Sequence, residues 1–238
     1  AGLVSPHPPF DAPEEYLKNQ PLDKQVPPVD NDNPDAWRQR RAHYGAMVEL
    51  VDEQLGRILQ ALERRGFLDD ALVVFFADHG EMLGDHGESG KCKAFDPSSR
   101  VPCIMRYPAA IDGGLQSDAL MEITDISATC VEVATGEADC ASLIPGSPAR
   151  SLVSHWKKPQ EPVRPFIYSE DGGQFAPAYQ MIREERWKYV LYTKDLREEL
   201  FDMIEDPQEC RNRADDPAVA GHKHRLASIL CSRLAQTE

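Results

Sequence analysis

Residues 71–77, Ala-Leu-Val-Val-Phe-Phe-Ala, form an unbroken apolar run of strand length that stops abruptly at Asp78-His79-Gly80. A run rich in β-branched and aromatic residues, without polar alternation, suits a strand covered on both faces, and so predicts a central parallel strand of an α/β sheet. The segment DHGEMLGDHG (78–87) then falls at the carboxyl end of that strand, the edge at which open α/β sheets bind ligands.

The flanking sequence supplies the rest of such an architecture. Residues 1–33, rich in Pro, Asp and Asn, read as an irregular segment laid over a surface, and long ordered loops of this kind belong near sites. Asn33 as cap, Pro34 at the first helical position and Asp35 in the first turn open a long helix, which Arg64, Arg65 and Gly66 close. Tyr44, Val48, Val51, Leu55, Ile58, Leu59 and Leu62 are its expected buried stripe. VPCIMRYP (101–108) predicts a second strand, and TDISATCVEVATG (124–136) a capped helix ended by glycine. After a Pro-rich stretch (145–165), the short runs FIYS (166–169), AYQMIR (178–183), RWKYVLY (186–192) and ELFDM (199–203) predict an antiparallel meander. A terminal helix follows, within a segment reaching Gln236, with Asp216 as cap and Pro217 at its start; Val219, Leu226, Ile229, Leu230 and Leu234 form its apolar side. The expected division is an α/β part over 1–160 and a small sheet-and-helix subdomain over 161–238.

The 26 Lys and Arg against 40 Asp and Glu leave a net charge of −14, spread along the chain. Nucleic acid is therefore not an expected partner, because phosphate binding needs a basic stripe. No apolar run is long enough to span a bilayer, so no membrane partner is expected either. The compartment stays open between cytoplasmic and periplasmic or secreted. Six cysteines (92, 103, 130, 140, 210 and 231) lack a C-x-x-C pair and read as free thiols.

Asp78 and His79 are adjacent hard and borderline ligands on a turn followed by glycine, from which both can reach one divalent cation. An isolated D-H-G is more often a turn-capping carboxylate beside a solvated histidine. Here Lys91, Lys93 and Arg100 follow within a short span, so an acidic chain gathers cations where an oxyanion could sit. Lys93 is better read as a solvated surface charge.

The run VVFFADHGEMLGDHGESGKCKAFDPSSRVPCIMRYP (73–108) resembles the sulfatase signature. There a strand ends in Ser/Ala-Asp-His/Asn-Gly, and a lysine precedes an aromatic-acidic-x-Ser-x-Arg-Val-Pro segment. SPHPPF (5–10) is similar to the family's Pro-His-Pro-Pro segment, YGAMVELVDEQLGRILQALERRGFLDD (44–70) to the helix before the metal-binding strand, and residues 186–217 to the closing segment around Lys-Tyr and Asp-Pro-x-Glu. The resemblance implies an alkaline-phosphatase-like mixed sheet flanked by helices, with the small antiparallel sheet and terminal helix appended. It also implies cleavage of a sulfate ester on a small molecule or saccharide. Asp78 and His79 would be metal ligands, with Ca2+ expected first and Mn2+ or Mg2+ as alternatives. Lys91 and His7 would contact the sulfate as electrostatic clamp or general acid, and His86 and Arg100 would be substrate-binding.

In that family the nucleophile is a formylglycine made from the Cys or Ser of C/S-x-P-x-R. No such motif occurs here: Cys92 opens C-K-A-F-D and Cys103 opens C-I-M-R-Y. The paired N-terminal aspartates that complete the metal site are absent as well, and two residues are few for a hard cation that takes about six ligands. The expectation is that both lie upstream, in a missing N-terminal half of the same protein, and that this chain alone is inactive. Two rival readings share these features: a phosphonate monoester or phosphodiester hydrolase of the same fold, and an inactive truncated binding module.

Overall fold

The computed structural model describes residues 1–137, 147–174 and 177–235. Cys140, the first residues of the Pro-rich stretch and Gln236 lie outside the described residues. The chain divides into two compact units, Ala1–Ala71 with Glu81–Gly90, and Leu72–Gly80 with Lys91–Glu238.

The first unit is built on α2 (Asp35–Arg64), a helix of 30 residues, preceded by the short α1 (Glu14–Leu17). Pro34 already has helical dihedrals, and the Asn33 carbonyl accepts from the Ala36 N–H at 3.3 Å. Ala12, Ala46 and Met47 form the core of this unit, with Phe10, Tyr16 and Leu17 packed around them. The fully buried residues of α2 are Ala42, Ala46, Met47 and Val51; of the expected row Val51 alone is among them, while Val48 is 45% and Ile58 36% exposed. The small side chains win because the loop and α1 lie close over that face of the helix, where an alanine admits near backbone approach.

The irregular segment before α2 is stitched down by polar groups. Asp85 accepts from the Val29 N–H and from Arg41 Nη2, both at 2.7 Å, while Arg41 Nε donates to the Leu83 carbonyl at 3.0 Å. Gly84, at φ 93°, lies so close to Trp37 that a Cβ there would fall 2.5 Å from the indole ring.

In the second unit, β1 (Val73–Phe76) pairs with β2 (Cys103–Arg106) in register Val73↔Arg106 to Phe76↔Cys103. The pairing is antiparallel, which corrects the expected parallel neighbour. Among the described residues β1 is also only half covered, Phe76 being 41% exposed and Ile104 on β2 63%. A continuous apolar run reports that burial is favourable; it carries no information on the direction of the adjoining strand. Between these strands lies the single turn α3 (Asp96–Ser99), and α4 (Thr124–Thr135) follows, closed by Gly136. The start of α4 is secured not by a side-chain N-cap but by Asp125, which accepts from the Glu122 N–H at 2.8 Å. Asp125 also pairs with the buried Arg164, whose other nitrogen meets Glu122 at 3.0 Å.

The meander forms as expected, with β3 (Ile167–Asp171), β4 (Tyr179–Arg183), β5 (Trp187–Tyr192) and β6 (Glu198–Asp202) antiparallel in that order. The period-2 alternation of a strand divides its side chains between two faces. Ile182, Trp187, Tyr189 and Leu200 pack on Val219, Leu226 and Leu230 of the terminal segment, whose helix α5 spans Ala220–Leu234. Met181, Val190, Tyr179 and Tyr192 instead bury Ala94. Asp216 caps the terminal segment through the Ala218 N–H at 2.9 Å. The five described cysteines are free thiols, and no described helix is long and apolar enough to cross a membrane.

Candidate active site

The polar turn leaves β1 at its carboxyl end. Asp78 is exposed, with 87% of its side chain accessible, and its Oδ1 accepts from the His79 N–H at 3.0 Å. His79 Nδ1 lies 2.8 Å from the Gly80 carbonyl, which leaves Nε2 turned to its other neighbours, 3.8 Å from Asp78 Oδ1 and 2.9 Å from Lys91 Nζ. Asp78, His79 and Lys91 are therefore one cluster, assembled from two segments twelve residues apart.

The close packing of those segments depends on Gly80. Its N–H donates to the Ser98 carbonyl at 2.8 Å, and a Cβ at this position would stand 2.0 Å from the Pro97 carbonyl oxygen. The segment 91–100 is folded on itself as well: Lys93 N–H donates to Ser98 Oγ, and Ser98 and Ser99 N–H groups both donate to the Phe95 carbonyl. Arg100 closes α3, its N–H on the Asp96 carbonyl at 2.8 Å and its side chain exposed.

The two candidate histidines belong to the first unit. His7 Nδ1 lies 2.8 Å from the Pro8 carbonyl in an exposed loop. His86 is enclosed, with 8% of its side chain accessible, its Nδ1 3.7 Å from Asp30 and its N–H on the Val29 carbonyl.

Cys92 lies between Lys91 and Lys93 in the sequence. Burial, and next its hydrogen bond to Asp171, push its thiol up, so it is held as a thiol rather than as a nucleophilic thiolate.

For a divalent cation, Asp78 and His79 are a fitting pair of donors, one carboxylate oxygen and one imidazole nitrogen on adjacent residues. Among the described residues no third His, Cys, Asp or Glu joins them, and two donors are fewer than the roughly six that a hard cation takes.

The lysine of Lys-Tyr and the glutamate of Asp-Pro-x-Glu, read from sequence only as a likeness to the closing segment, meet in a buried cluster that the sequence did not show. Lys188, on β5, is buried to 1% and donates to the Ala94 carbonyl (3.0 Å), Asp96 Oδ1 (2.5 Å) and Glu209 Oε1 (2.6 Å). Glu209 Oε2 completes the ring by accepting from the Asp96 N–H at 2.6 Å. Burial, chiefly, raises the Glu209 carboxyl above its ordinary value, with Lys188 opposing and Asp96 adding to the rise. A lysine set among Trp187, Tyr189 and Val190 near the start of an apolar strand was the available signal.

Comparison with known proteins extends these observations. The sulfatase family model matches residues 1–136, and a model for the C-terminal part of N-sulphoglucosamine sulphohydrolase matches residues 84–236. Choline-sulfatase of Rhizobium meliloti (strain 1021) is 34% identical over 185 residues, covering 76% of this chain and 34% of that protein. A protein solved in complex with its substrate D-glucosamine-2-N,6-O-disulfate superposes with a TM-score of 0.77 at 27% identity, over 94% of this chain and 44% of the other. The phosphonate monoester hydrolase of Agrobacterium radiobacter gives a TM-score of 0.81 at 28% identity, over 98% of this chain and 55% of the other. The chain thus spans between about a third and about half the length of these relatives. With the family model running without a break over more than half of the chain, through β1, the Asp78–Gly80 turn and Lys91, the chain belongs to the sulfatase family.

Proposed function

We propose that the protein carrying this chain hydrolyses a sulfate ester, with a sulfated saccharide or small molecule as substrate. The observation that carries the reading is the cluster at the end of β1, where the Lys91 ammonium stands 2.9 Å from His79 Nε2 beside the exposed Asp78 carboxylate. Asp78 and His79 would hold a divalent cation, Ca2+ in the first instance, which when bound neutralises sulfate oxygens and polarises the ester. Lys91 supplies a second positive charge to the same oxygens. Charge that develops on the sulfate in the transition state then meets a fixed donor, and removing one such donor typically slows turnover by about a hundredfold or more. His7 is proposed as a further sulfate contact or general acid, and His86 and Arg100 as substrate-binding side chains. The nucleophile, a formylglycine in this reading, and the remaining metal ligands are supplied by sequence outside this chain, which alone is inactive.

The relatives' substrates support a sulfated saccharide, since one structural neighbour was solved with a glucosamine disulfate. A second reading, phosphonate monoester hydrolysis, is favoured by the likeness to the Agrobacterium enzyme over 98% of this chain. The deciding experiment is a comparison of kcat/KM for aryl and saccharide sulfates against aryl phosphonate monoesters, using the full-length enzyme. A preference for phosphonates would replace the sulfatase reading, and no turnover of either class in the metal-loaded enzyme would remove both.

A further inference from the structure

Lys188 occupies a place where a charge is expensive. An ammonium and two carboxylates enclosed in a sheet face lose hydration that their mutual attraction scarcely restores, and well-packed apolar residues are often as stable or more so. Stability alone therefore gives no reason for this group. Its geometry does. Alternation along β5 turns Trp187 and Tyr189 toward α5 and sends Lys188 and Val190 to the opposite face, on which Ala94 is buried. All three ammonium donors are used, two of them on Ala94 and Asp96 and the third on Glu209, which itself grips the Asp96 N–H. The segment so held is bonded at Ser98 to Gly80 and carries Lys91 three residues before Ala94.

We propose that Lys188 and Glu209 are positioning residues for the active site: they clamp segment 94–96 and thereby set where Lys91 stands relative to the Asp78–His79 turn. The inference rests on the reading of Lys91 as a sulfate-binding group. Lys188 touches neither substrate nor cation in this scheme; it acts through Lys91. An Arg in its place cannot reproduce three converging bonds from one nitrogen, whereas Glu209→Gln keeps the shape and removes the charge.

The test is a double-mutant cycle in the full-length enzyme, with Lys188→Met and Lys91→Ala singly and together, read as kcat and KM on an aryl sulfate, with folding checked by thermal melting. Lys188→Met is expected to lower kcat about a hundredfold, the scale of a misplacement near 1 Å, with a smaller change in KM. In the Lys91→Ala background the same change should lower kcat by severalfold at most, because the group it positions is gone. Equal losses in both backgrounds would overturn the positioning role while leaving Lys91 in place. Near-normal turnover by Lys91→Ala alone would instead overturn the functional reading and the inference with it. Should Lys188→Met fail to fold, Glu209→Gln enters the same cycle, with the same outcomes deciding.

Discussion

Substituting Gly80 by alanine tests the close approach on which the site is built. The new Cβ would lie 2.0 Å from the Pro97 carbonyl oxygen and 2.9 Å from its carbon, whereas ordinary contact begins near 3.4 Å, so the segment must retreat by about 1.4 Å. The obstacle is backbone, not the end of a flexible side chain, and the retreat stretches the 2.8 Å bond from Gly80 N–H to Ser98. Overpacking of this kind costs about 1–3 kcal/mol, and each kcal/mol lowers Tm by about 2–4 °C for a unit of roughly 150–250 residues and by less in a longer protein. The effect on turnover should be larger than the effect on stability. A shift beyond about 1 Å between His79 and Lys91 separates groups now 2.9 Å apart, and displacements of that size slow catalysis by about a hundredfold. Thermal melting together with kcat of the full-length Gly80→Ala enzyme measures both. A variant with unchanged Tm and full activity would refute the packing of Gly80 on Pro97 and, with it, the account of how the site is assembled.

Gly56→Ala should act in the opposite sense: it sits inside α2 with no atom within 4 Å of the methyl that alanine would add, so helix propensity alone should raise stability by about 0.5–1 kcal/mol in urea titration, and a loss would place an unseen contact there. Asp78→Ala should weaken metal retention, measured by elemental analysis after dialysis of the full-length enzyme, and an unchanged stoichiometry would remove Asp78 from the ligand set. Stability should be dome-shaped in pH. Asp202, held down first by its hydrogen bond from Arg186, and Glu198, held down first by Lys223 and then Tyr189, have folded values below their unfolded ones, so their contribution is present above about pH 4 and lost as pH falls through the folded values. Glu209, raised by burial, runs the other way: the folded state holds its proton more tightly, so stability declines as pH climbs from the ordinary carboxylate range through the raised value. Glu209→Gln should flatten that descending limb alone, and a urea midpoint constant between about pH 3 and pH 7 would reject both assignments.

The parts legible in sequence were those written locally. The meander shows in strand-length apolar runs broken by Glu184-Glu185, and Asp216-Pro217 announces the terminal helix because a cap and a preset φ act within a few residues. The Asp78–Gly80 turn was likewise legible, since it must follow the strand that ends at Phe76. The direction of β1 relative to β2 was not, because pairing is decided by the path between strands and apolar runs are alike in either sense. Helix α2 misled for a related reason: its largest apolar residues repeat at helical spacing, yet the face chosen was the one whose alanines let α1 and Phe10 come close. The partners of Lys188 escaped because they lie 94, 92 and 21 residues away, and no periodicity links them.

Those separations also order events in time. A ribosome delivers residues 91–100 long before Lys188, and Asp96 precedes the carboxylate that grips its N–H by 113 positions. Local elements condense as they emerge, but a bond spanning such a length of chain waits for its distant member. The Asp78–His79 turn can thus exist on a nascent polypeptide whose lysine is still unanchored. The buried ring of Lys188, Asp96 and Glu209 closes only once Glu209 has emerged, so chains abandoned earlier in synthesis carry the turn without the clamp on segment 94–96.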